Sequence, residues 1–175
     1  IKSMPDSFGS FKAIQEVFAF CYFDHPDLDK QFSKIILDDS EKFYRYNFFF
    51  ANYLIKKGRE KEAKSIIDLT IDKFPRNLLI NQLKENLNRN NFNRNEFSCN
   101  KPEHILAEIL YAFANALSVQ KKYELSNLYI NLSKFLNPSF LSYNALLAEN
   151  LLMLKKFQES KKMFQGLFKI GSFYK

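Results

Sequence analysis

Two histidines, His25 and His104, and two cysteines, Cys21 and Cys99, are the residues of this chain best suited to proton transfer near neutral pH, nucleophilic attack or soft-metal binding. Their spacing favours none of these. Neither histidine has a second histidine one helical turn away, the pairing by which a helix commonly holds zinc, and the sequence predicts no metal and no cofactor. Cys99 and His104 are the one pair that thiol chemistry would use. They border an asparagine-rich stretch without fixed geometry, where Cys99 reads as a small residue and His104, beside Glu103, as a polar residue in a helix's first turn. The two cysteines are too few for a disulfide framework and do not report the redox compartment. No catalytic set emerges, and the expectation is a chain that is not an enzyme.

Charge is more patterned. Lys56, Lys57 and Arg59 form one basic cluster, Lys121 and Lys122 a second, Lys155 and Lys156 a third. Aligned along one edge, they would suit an acidic protein or a nucleic acid, although charged turns also serve solubility alone. The formal charge of +7 is spread over both signs rather than gathered in a basic tail, which makes nucleic acid the minor reading.

The elements that must carry these residues are helical. The chain is 46% apolar and 17% aromatic, enough for a core, yet four glycines and five prolines are too few for an all-β fold with many tight turns. Helical spacing runs from Phe11 to Phe23, Asp27 to Leu37, Phe43 to Lys56, Glu60 to Phe74 and Arg76 to Asn88. After the polar segment Asn88 to Lys101 it resumes at Pro102, with Leu106, Ile109, Leu110, Phe113 and Leu117 on one expected core face. Further helices are expected over Tyr123 to Leu136, Ser139 to Leu154 and Phe157 to Phe168. The apolar stretch Ile105 to Val119 is too short and too interrupted to span a bilayer.

These helices repeat. Phe50, Ala51, Leu54, Ala63, Ile67, Thr70 and Pro75 recur at one constant offset as Phe113, Ala114, Leu117, Ser126, Ile130, Ser133 and Pro138. A further 34 residues on, Leu147, Ala148, Leu151, Ser160, Phe164 and Leu167 continue the pattern. A small residue on each helix lets the pair approach closely, and proline ends the second helix. This period and these residue types resemble the tetratricopeptide-repeat family. The resemblance implies an all-α fold, a right-handed superhelical array of antiparallel helix pairs. The expected organisation is a degenerate N-terminal hairpin (1–40), a repeat (41–77), an extra helix with an asparagine-rich loop (78–101), a second repeat (102–140) and a truncated third (141–175).

In that family the first helices line a concave face that commonly holds an extended peptide. The resemblance therefore implies a non-enzymatic protein-binding scaffold whose groove would show Phe48, Asn52, Ile55, Tyr111, Asn115 and Glu149. The asparagine amides would grip a peptide backbone, donating and accepting at once. Phe48 and Tyr111 stand where chaperone-binding members carry carboxylate-clamping lysines, which argues against capture of a C-terminus. Alternative readings are a nucleic-acid-binding repeat using the basic edge, or an accessory segment of a larger enzyme. The ends of the chain suggest a fragment, and its Phe, Lys, Asn and Ile bias fits an AT-rich bacterial source, such as the large tetratricopeptide proteins of alphaproteobacteria, cytoplasmic or periplasmic.

Overall fold

The computed structural model describes residues 9–36, 44–89 and 96–175. Among them every regular element is a helix, and none is long and apolar enough to cross a membrane. The chain forms two compact units, Ile1–Phe92 and Asn93–Lys175.

The first unit contains α1 (Gly9–Tyr22), α2 (Leu28–Ile36), α3 (Tyr44–Lys56), α4 (Glu60–Lys73) and α5 (Leu78–Asn88). Its centre is α3, where three consecutive phenylalanines, Phe48, Phe49 and Phe50, are all buried. Successive helical residues point about 100° apart, so three in a row can be buried only if neighbours surround the helix. Helices α2, α4 and α5 all pack on α3. From α1, Phe18 meets Phe49 edge-on at 5.7 Å, and from α2, Phe32 stacks on Phe50 at 4.6 Å.

The second unit contains α6 (Pro102–Val119), α7 (Tyr123–Leu136), α8 (Tyr143–Met153) and α9 (Phe157–Leu167), then a short 3-10 turn at Ser172–Tyr174. Each helix packs on the next, and α8 also touches α6. The core face of α6 differs from the expected one. Ala107 and Ala114 are fully buried with His104 and Glu108, while Leu106 and Phe113 remain exposed. Close approach of α7 along the alanine line selects small side chains and leaves the bulky ones on its flank. Helix α8 also begins later than expected, at Tyr143. Residues 139–142 form a tight turn in which Ser139 Oγ donates to Asn137 Oδ1 at 2.8 Å.

One turn shape joins four helix pairs. Gly58 adopts φ 75°, Lys121 φ 61°, Lys155 φ 60° and Asp24 φ 48°. At each, the left-handed residue donates three residues back and its successor five back: Gly58 N–H to Ile55 O at 3.0 Å, Arg59 N–H to Leu54 O at 2.9 Å, and equivalently at Lys121–Lys122, Lys155–Lys156 and Asp24–His25. This is the Schellman helix stop. Asp24 lies 34 residues before Gly58, so the N-terminal hairpin carries the same turn despite its loose sequence match.

A side chain in the left-handed region is disfavoured by about 1 kcal/mol relative to glycine. Lys121→Gly and Lys155→Gly should each raise stability by about 0.5 to 1 kcal/mol in urea titrations followed by circular dichroism. Gly58→Ala should lower it by about 1 kcal/mol, since its Cβ would meet nothing within 4 Å and only φ opposes it. Lysine variants that lose stability would contradict this description of the turns.

Candidate functional site

The exposed side of the first helices is defined by what holds the other side. Ser126 Oγ donates to Ala114 O at 2.7 Å, and one period on Ser160 Oγ donates to Ala148 O at 2.8 Å. A serine reaching a backbone carbonyl of the neighbouring helix marks a close crossing. Fully buried Asn150 extends this bonding. It accepts from Ser118 Oγ at 2.6 Å and donates to Ser126 Oγ at 2.8 Å and Asn127 Oδ1 at 2.9 Å, tying α6, α7 and α8 together.

With those faces committed inward, Asn115 is exposed on α6, and its amide has no hydrogen-bond partner among the described residues. Tyr111, one turn earlier and half-buried, lies 5.2 Å from the ring of Tyr143 on α8. Glu149 holds the Asn115 position on α8 and is also exposed. Its neighbours on α8, Leu147, Ala148 and Leu151, are buried, and desolvation raises its carboxyl pKa above the usual range.

In the first unit Asn52 is half-buried, its amide likewise without a partner among the described residues, and Ile55 is half-buried one turn on. Phe48 is not a groove residue. It is 2% exposed and meets Phe49 edge-on at 5.4 Å, because the packing around α3 takes all three phenylalanines into the core.

The basic clusters divide by unit. Lys57 Nζ contacts both oxygens of Asp24 at 2.8 Å, and Arg59 meets Asp29 at 2.6 Å and Glu62 at 2.7 Å. Hydrogen bonding to Glu62 and then Asp29 raises Arg59 further above its ordinary pKa, and Arg59 in turn lowers that of Glu62. The expected open edge is therefore neutralised here at Lys57 and Arg59. In the second unit Lys121, Lys122, Lys155 and Lys156 are exposed, with no carboxylate at ion-pair distance among the described residues.

Sequence reasoning missed a notch of about 430 Å³ between the first two turns of the first unit. Tyr53 and His25 line it with the Lys57–Asp24 and Arg59–Asp29 pairs. His25 Nδ1 accepts from Asp27 N–H at 3.2 Å, its ring lies 4.3 Å from Phe20, and desolvation raises the pKa of Tyr53. The signal available was opposite charges about one period apart, Asp24 and Asp29 against Lys57 and Arg59. His104 stands in the first turn of α6 as expected; it is also buried, and its Nδ1 accepts from Ser98 N–H at 3.1 Å, pinning the end of the asparagine-rich segment to α6. The thiol–imidazole reading lapses, since neither cysteine is a free thiol. No group of three metal-ligating residues occurs among the described residues.

The chain matches no family model, no curated protein and no solved structure. The geometry alone separates structural from available asparagines. Asn150→Ala should cost about 2 to 3 kcal/mol in denaturant unfolding by stranding buried polar groups, whereas Asn115→Ala should change stability by less than about 0.5 kcal/mol. Equal losses would make Asn115 structural.

Proposed function

We propose that the chain is a non-enzymatic interaction scaffold, a tetratricopeptide-like α-solenoid whose first helices offer a groove to an extended peptide of a partner protein. In this reading the hairpins are successive repeats of a right-handed superhelical array. The observation that supports it best is a contrast among asparagines. Asn47, Asn137 and Asn150 are buried and bonded to the protein, Asn47 Nδ2 to Thr70 Oγ1 at 2.9 Å and Asn137 Nδ2 to Glu96 O at 2.8 Å. Asn52 and Asn115 share one repeat position and bond to nothing within the described chain. A free amide beside an aromatic or apolar wall suits sequence-tolerant capture of a peptide backbone.

The test is selection of displayed random peptides on the full chain, followed by anisotropy titration of the recovered sequences. The Asn52→Ala/Asn115→Ala variant should keep its melting temperature and lose about 1 to 3 kcal/mol of binding in total. Binding as tight as the parent's contradicts the groove.

A second reading is favoured by the four unpaired lysines of the second unit, which would meet a nucleic-acid backbone. It requires affinity for single-stranded RNA that falls steeply as salt rises from about 50 to 200 mM.

A further inference from the structure

Helix α7 is committed on one side and apolar on the other. Ser126, Ile130 and Ser133 are buried against the unit. On the far side Leu125, Leu128, Leu132 and Phe135 are 44%, 55%, 43% and 82% exposed. Their 3–4–3 spacing aligns them in one stripe, the pattern by which helices pair in coiled coils. A surface helix ordinarily keeps that side polar.

The repeat supplies an internal control. On α4 the same positions hold Glu62, Ser65, Leu69 and Asp72. One period after α7 they hold Glu159, Lys162, Gly166 and Lys169. Among α4, α7 and α9 only α7 presents large apolar residues throughout, and on α2 the equivalent Leu28 and Ile35 are buried rather than exposed.

We propose that this stripe is a self-association surface, on which α7 of one copy packs antiparallel against α7 of a second. The stripe is its own complement. A two-fold axis at Ile130 sets Leu125 of one copy against Phe135 of the other, and Leu128 against Leu132. The flanks agree: Glu124 and Asn131 border one side and Tyr129 and Leu136 the other, so antiparallel pairing joins carboxylate to amide and ring to aliphatic chain. Parallel pairing would bring the unpaired Lys121 and Lys122 of both copies together and align the helix dipoles. One 14-residue helix offers less than the roughly 800 Å² per partner of a standard interface, so the dimer is weak. This surface is independent of the groove, and either can fail without the other.

Sedimentation equilibrium of the full chain tests it. The parent should dimerise with a Kd on the order of 10 to 100 μM. Leu128→Glu and Leu132→Lys should each weaken pairing about tenfold or more, with melting curves like the parent's, since neither side chain enters the core. The double variant should regain the dimer, because position 128 faces position 132 in the antiparallel register. A parent that stays monomeric at several times the upper Kd, single variants that pair as well as the parent, or a double variant that stays monomeric would each overturn the proposal.

Discussion

Close approach of paired helices is the constraint on which the rest depends. At Ala114 with Ser126, and at Ala148 with Ser160, a serine hydroxyl reaches a main-chain carbonyl across the helix pair, which only small residues at the crossing permit. In the first unit Ala51 and Ala63 hold these positions and are fully buried without the hydroxyl bond. Dispersion contacts along the whole pair then follow from backbone proximity, and bulky side chains are displaced to the flanks.

The turn makes that approach repeatable. A left-handed residue with the paired bonds of the Schellman stop reverses the chain within three residues, so the second helix starts in nearly the same orientation each time. The residues before α4, α7 and α9 have φ between −86° and −92° and ψ between 53° and 63°. Fixed turns and fixed crossings leave a fixed set of positions outward. Asn115 and Glu149 occupy one such position, and the stripe on α7 another.

Much of this was legible because small residues, prolines and turn cations are local signals with a local cause. Pro75 and Pro138 close α4 and α7, and the residues before them, Phe74 and Asn137, share a non-helical cap with ψ 67° and 78°. What stayed hidden depends on how many neighbours a helix has. Periodicity marks a face as apolar, but cannot say that α3 is enclosed and Phe48 consumed, or that α6 turns its alanines rather than its leucines to α7. Charge pairing between turns was equally silent, since Lys57 and Arg59 read alike with free lysines until Asp24 and Asp29 lie beside them. The N-terminal hairpin hid its kinship because Val17 and Asp29 stand 34 residues before Ala51 and Ala63, so the small-residue signal is missing there.

The most direct test replaces the small residue at the crossing. Ala114→Leu and Ala148→Leu should each cost about 2 kcal/mol or more in denaturant unfolding, since the added methylenes have no space between the helices. Ala116→Leu, exposed on the same α6, should change stability by less than about 0.5 kcal/mol. Three variants of equal stability would contradict an architecture set by close helix crossing.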